Sequence, residues 1–318
     1  MELISFYSIV GFILASYSVM SNDSVQTLGT FIASNSLKFK WYTLASCVSI
    51  VLCLTLGYGW IINGGDITFG RLNAIPFQEV QWYHAMAPAI LLLLTRIGIP
   101  VSTTFLVLSA FASTFVLEKM LVKSIIGYGM AAVLAYALWI VISKCINEKF
   151  DHPTHPKSWR IAQWLTTGFL WYTWVSHDMA NIAVFLPREL PIEMLIGVMA
   201  VCTILLFYIF YHKGGKIQKI VLSKTGTRYV RSATIIDFIY AFVLLYFKQY
   251  NDIPMSTTWV FVGLLCGREL AIATMNKEYK LGYVFPIIGK DFLKMLAGLL
   301  VSVAIVLTIH HVLIPYGL

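Results

Sequence analysis

Every residue from Trp41 to Ile62 is uncharged, and most are Leu, Val, Ile, Cys, Trp or Tyr. A helix needs about 20 predominantly apolar residues to cross a bilayer, and apolar runs recur at 3–20, 83–97, 123–146, 191–211, 232–247 and 289–315. A transmembrane barrel would instead alternate apolar and polar residues in segments of about 10. Only 12% of residues are charged and 58% are hydrophobic, against about a quarter charged in soluble domains. The chain is therefore predicted to be all-α, a polytopic transmembrane helical bundle lodged in the lipid of a cell membrane. The first run follows Met1-Glu2, without the basic segment of a cleavable signal, so it is expected to remain as a span.

The net charge of +8 does not point to nucleic acid, because the basic residues fall in loops, where they set topology. Lys213, Lys216, Lys219, Lys224, Arg228 and Arg231 occupy a loop without an acid, which the positive-inside rule assigns to the cytoplasm. The five cysteines form no CxxC pair and read as small buried hydrophobes. No HExxH or GxSxG motif is present, so no enzyme is expected.

Against this background Ser21-Asn22-Asp23-Ser24-Val25-Gln26-Thr27 stands out as a polar patch with a carboxylate. An ionisable side chain among membrane spans is costly and points to function. The patch interrupts the apolar run that continues to Ala33, which predicts a broken helix or a re-entrant hairpin. A second such patch is Ser176-His177-Asp178-Met179-Ala180-Asn181, and a second pair of matched segments is Ile99-Pro100-Val101-Ser102-Thr103-Thr104 and Ile253-Pro254-Met255-Ser256-Thr257-Thr258. Asp23 precedes Pro100 by 77 positions and Asp178 precedes Pro254 by 76. Matched motifs at matched separation predict an internal duplication: a first transmembrane repeat over 1–147, a central cytoplasmic linker over 148–158 and a second repeat over 159–318, expected to be inverted. Paired, interrupted hydrophobic segments in two halves point to a secondary transporter with its site between the repeats.

The four motifs resemble those of the inorganic phosphate transporter (PiT) family of cation-coupled phosphate permeases. That family carries two Gly-Ala-Asn-Asp-Val-Ala-Asn-Ala-like and two Leu-Pro-Val-Ser-Thr-Thr-His-like motifs, and the resemblance extends over nearly the whole chain, including Gln163. It departs at Gln26 for Asn, His177 for Asn, Val175 for Gly, and Phe105 and Trp259 for the His after Ser-Thr-Thr. An acid expected near Ser49 is also missing, while Asp237 occupies about the corresponding place in the second half. The resemblance implies symport of inorganic phosphate with Na⁺ or H⁺, with no other cofactor. It places substrate and ion binding at Asn22, Asp23, Gln26, Ser102, Thr103, Thr104, His177, Asp178, Asn181, Ser256, Thr257 and Thr258, and Na⁺ at Asp23, Asp178 or Asp237. The expected partners are phosphate, the coupling cations and lipid; a homodimer is compatible with it.

The residues support the same expectation independently. Asp23 and Gln26, like Asp178 and Asn181, are three apart and share a helix face. The Ser-Thr-Thr triplets follow prolines, so each is expected to open a half-helix and offer hydroxyls and free backbone N–H groups to an anion. A protonated phosphate could donate to a carboxylate, which sulfate at neutral pH cannot. Sulfate or another oxyanion, and a receptor that transports nothing, are the alternatives. Hydroxyls in membrane helices commonly bond back to their own helix, His177 reads equally as a packed imidazole or a titrating group, and Arg96, Arg188 and Arg268 are expected at the lipid interface.

Overall fold

In the computed structural model of the chain, the described residues are 5–97, 101–146, 157–215, 218, 229–275 and 281–313. They form helices α1 (Phe6–Asn35), α2 (Trp41–Ile62), α3 (Trp82–Ile97), α4 (Thr103–Val107), α5 (Thr114–Ile146), α6 (Lys157–Asp178), α7 (Ala180–Ala183), α8 (Ile192–Tyr211), α9 (Val230–Tyr250), α10 (Thr257–Met275) and α11 (Leu281–Thr308). A 3₁₀ turn follows α4 and a π turn follows α11. No strand occurs among the described residues. Pro100, nearly all of the 148–158 linker and, in the basic loop, Lys216, Lys219, Lys224 and Arg228 lie outside them.

Among the described residues six helices are long and apolar enough to cross a membrane, and the chain is an integral, multi-pass membrane protein. Neither α1 nor α6 is among the six, although they have 30 and 22 residues. Those two carry the Asp motifs, and their polarity is tolerated because their motif segments are buried inside the bundle.

The boundaries follow local chemistry. Ser5 caps α1 by accepting from the Ser8 N–H at 3.1 Å, as N-cap residues do. Beyond α2 the chain turns through Gly64 and Gly65 at φ +61° and +103°, conformations that L side chains rarely adopt. Pro191 precedes α8, where a missing N–H costs nothing.

The expected break at Asn22-Asp23 is not there: α1 runs unbroken from Phe6 to Asn35. The patch stays helical because its hydroxyls bond back to their own backbone. Ser18 donates to the Leu14 carbonyl at 2.8 Å, Thr27 to that of Asp23 at 2.9 Å and Ser24 to that of Met20, and neighbouring helices cover the remaining polar groups. The expected interruption occurs only in the second copy, where α6 ends at Asp178 and α7 is a single turn.

Asn35 at the end of α1 meets Gln163 near the start of α6 at 3.0 Å, so the two helices run in opposite directions. By contrast α5 and α10 run side by side in the same direction, with Gly263 against the Tyr128 carbonyl and Gly267 against that of Ala132. A Cβ on Gly267 would lie 1.9 Å from the Ala132 oxygen, so only glycine permits this approach. Small residues four apart are the usual basis of such seams in membranes, where close packing replaces the hydrophobic driving force. Arg268 is not interfacial as expected: it is buried, pairs with Glu269 at 2.9 Å and lies over the Trp139 ring at 4.7 Å.

Candidate functional site

The two Asp motifs and the two Ser-Thr-Thr segments converge in the middle of the bundle. Asp23 and Asp178 are each 1% exposed. Thr103 at the start of α4 donates to Asp23 Oδ2, across 80 positions of sequence. Thr257 at the start of α10 donates to Asp178 Oδ2 at 2.6 Å, across 79 positions. The same hydroxyl-to-carboxylate bond thus occurs twice at nearly the same sequence separation.

The two arrangements also interlock. Asn181 donates to Asp178 Oδ1 at 3.2 Å and to Thr103 Oγ1 at 3.1 Å, and Thr258 reaches Asp23 Oδ1 at 3.5 Å. Thr104 donates to the Met255 carbonyl at 3.2 Å. The second half of the chain therefore supplies a hydroxyl to the first half's carboxylate and an amide to the threonine that serves it. Asn22 braces this site by donating to Asp23 Oδ1 at 2.7 Å and to the Val101 carbonyl at 2.9 Å, and Gln26 donates to Asn22 Oδ1 at 3.3 Å.

Two atoms in this network have no hydrogen-bond partner although they are buried: Gln26 Oε1 and Asn181 Oδ1. They stand at the same offset, three residues after each Asp. Buried acceptors are nearly always satisfied, and oxygens beside a carboxylate and hydroxyls are the ligands that hard cations take. Among the described residues, no three His, Cys, Asp or Glu side chains come together as a metal site, so any cation here is held by amide, hydroxyl and carboxylate oxygens together. Two carboxylates in one buried site repel each other strongly unless an opposite charge offsets them.

Three residues stand apart from this centre. Ser102 and Ser256 act as caps, accepting from the Phe105 and Trp259 N–H groups, each at 3.2 Å. His177 turns away and its Nε2 meets the Leu244 carbonyl on α9 at 2.7 Å. Phe105 and Trp259, where the resemblance expects His, pack edge-on with ring centroids 5.5 Å apart.

Asp237 forms a second polar layer. It accepts from Thr30 on α1 at 2.7 Å and from Thr167 on α6 at 2.5 Å; Thr30 lies seven residues, or about 10 Å, along α1 from Asp23. A third layer closes the bundle beyond it, where Arg160 donates to Asn35 Oδ1 at 2.7 Å, Asn35 to Gln163 at 3.0 Å and Gln163 to Ser34. The sequence reading missed Thr30, Thr167 and Tyr240, whose hydroxyl donates to the Thr257 carbonyl at 2.8 Å. The only signal was a lone hydroxyl in an apolar helix, which is common.

No family model matches the sequence, and no curated protein matches it either. A solved structure described as the sodium-dependent phosphate transporter superposes with a TM-score of 0.60 over 96% of this chain and 98% of its own. The two are 15% identical, so the likeness establishes a shared fold.

Proposed function

We propose that the chain is a secondary-active symporter that imports inorganic phosphate with Na⁺ or H⁺ through a site formed by Asn22, Asp23, Gln26, Thr103, Thr104, Asp178, Asn181, Thr257 and Thr258. The observation that carries this reading is the doubled unit: a buried carboxylate, a hydroxyl donor 80 or 79 positions away, and an unpartnered amide oxygen three residues after the Asp. Each unit combines anionic and neutral oxygens, as a cation site needs, and the hydroxyls lie where a tetrahedral anion could join them. Asp237, with Thr30 and Thr167, is a further cation position along the same helix. The fold shared with a sodium-dependent phosphate transporter supports the substrate and the coupling ion.

Two repeats over 1–147 and 159–318, inverted and joined by a cytoplasmic linker, fit the opposed directions of α1 and α6. Coupling follows from electrostatics. Bringing one negative charge in against an inside-negative potential costs about 2.3 kcal/mol per 100 mV, so a dianion requires two cations merely to cancel its charge. Ser102 and Ser256 set up the half-helix starts, and His177 ties α6 to α9.

The test is uptake of labelled phosphate into proteoliposomes with Na⁺ and pH gradients imposed separately and sulfate as competitor. Uptake driven by one of the two gradients is expected, with sulfate competing poorly. Sulfate uptake in its place would mark the related permease, and no uptake of either anion under either gradient refutes the transporter reading.

A further inference from the structure

One buried cation belongs to none of the layers described. Arg71 is 0% exposed and sits on the loop between α2 and α3, at the end of the bundle opposite the basic loop. The loop is built to deliver it. Both Asp66 oxygens are engaged, by Thr68 N and Oγ1 at 2.7 and 2.6 Å and by Gly70 N at 2.8 Å. Phe69 and Gly70 adopt φ of +55° and +78°. A non-glycine residue with positive φ is strained, and here the strain turns the next side chain inward.

Once inside, the guanidinium is only partly used. Nη1 donates to the Asn251 carbonyl at 2.6 Å, while Nε and Nη2 are buried without a hydrogen-bond partner. Those two N–H groups lie side by side on one edge of the guanidinium plane, the fork that binds carboxylate or phosphate bidentately. No carboxylate among the described residues forms an ion pair with it. Burial pushes Arg71 down to about 10, with Asp252 and Asp178 pulling it back up, so it is charged at neutral pH.

Two lysines hold the chain segments around it. Lys123 spends its donors on Asn251 O, Asn251 Oδ1 and Ile253 O, at 3.1, 2.7 and 2.6 Å, thereby fixing the strand of chain to which Arg71 is anchored. Lys248 lies half-buried, 4.0 Å from the Phe69 ring centroid. Arg71 acts electrostatically on both lysines and on Asp178.

We propose that Arg71, supported by Lys123 and Lys248, forms a second anion site at the α2–α3 loop end of the bundle, where the free edge of the guanidinium takes a tetrahedral oxyanion. That phosphate is the anion carried rests on the function proposed above; that an oxyanion binds at Arg71 does not. The site needs no cation, because its own charge is positive, whereas the central site, with its two carboxylates, does.

The probe is ³²P-labelled inorganic phosphate in equilibrium binding to the purified full chain in detergent, with and without Na⁺. In the double variant Asp23→Asn/Asp178→Asn, which disables the central site, Na⁺-independent binding is expected to persist and to weaken as chloride is raised. Adding Arg71→Gln is expected to weaken it about tenfold or more. Arg71→Lys, which keeps the charge and loses the fork, should give an intermediate loss. Lys248→Gln, at a half-buried position where folding is not at stake, should give about a threefold loss. Monodisperse elution of each variant shows that it is folded. Binding that disappears in the double variant, or that is unchanged by both Arg71→Gln and Lys248→Gln, overturns the proposal. Failure of phosphate uptake by the parent protein, alongside intact binding in the double variant, would refute the transport reading and leave this site standing.

Discussion

Asp23 and Asp178 present nearly the same chemistry from different backbones. Asp23 lies within a continuous helix that extends 12 residues beyond it to Asn35, so its segment has no free backbone N–H groups to offer. Asp178 is the last residue of α6, followed by Met179 and a single helical turn. The residue before each Asp differs accordingly. Asn22 stays in the site and bonds both its own Asp and the Val101 carbonyl, whereas His177 reaches outward to Leu244. What is common to the two copies is the carboxylate, the hydroxyl across the bundle and the amide three residues on. The helix break differs between the two; the oxygen set does not.

The sharpest way to break this equivalence is to neutralise each carboxylate in turn. Asp23→Asn and Asp178→Asn are each expected to reduce phosphate uptake about 100-fold or to background, since a charged hydrogen-bonded group and its cation are lost together, worth about 3 kcal/mol. Full uptake by both variants, measured in proteoliposomes at matched protein, would refute the site. A smaller and unequal effect is expected from the hydroxyls. Thr103 serves Asp23 and also accepts from Asn181 of the other half, while Thr257 serves Asp178 alone. At about 1 kcal/mol per hydrogen bond, Thr103→Ala should lower uptake about 30-fold and Thr257→Ala about fivefold. Equal losses would show that the interlock through Asn181 carries no energy. His177→Asn, which places the residue of the first copy in the second, is expected to do least. It should leave the dependence of uptake on Na⁺ and pH gradients as in the parent and lower thermal stability in detergent by about 1 kcal/mol through loss of the α9 tie. A change of coupling ion would instead make His177 part of the transport chemistry.

These contrasts also mark what could be read from the sequence. The membrane class, most helices and the convergence of four distant motifs followed from apolar length and from two spacings that agree within one residue. Helix continuity did not, because Ser24 and Thr27 bond back to their own helix, and a run of such residues has the composition of a break. The roles of Ser102 and Ser256 were half legible: a Ser after a proline marks a helix start, but whether its oxygen caps the helix or faces a ligand depends on the turn that follows. Arg268 was misplaced because an arginine near a helix end normally reaches the interface, and nothing local announces Trp139 across the seam. Arg71 was invisible, since its burial comes from the path of a loop rather than from any periodicity.

The glycine seam between α5 and α10 has a mechanical consequence. With Gly263 and Gly267 seated against the carbonyls of Tyr128 and Ala132, the two helices cannot slide past each other without driving backbone into backbone. One comes from the first half of the chain and the other from the second, so any rocking that exposes the centre first to one face and then to the other must carry both as a single strut. In such a motion the moving parts would be what swings against that strut, and Thr257, at the first turn of α10, would stay fixed to it.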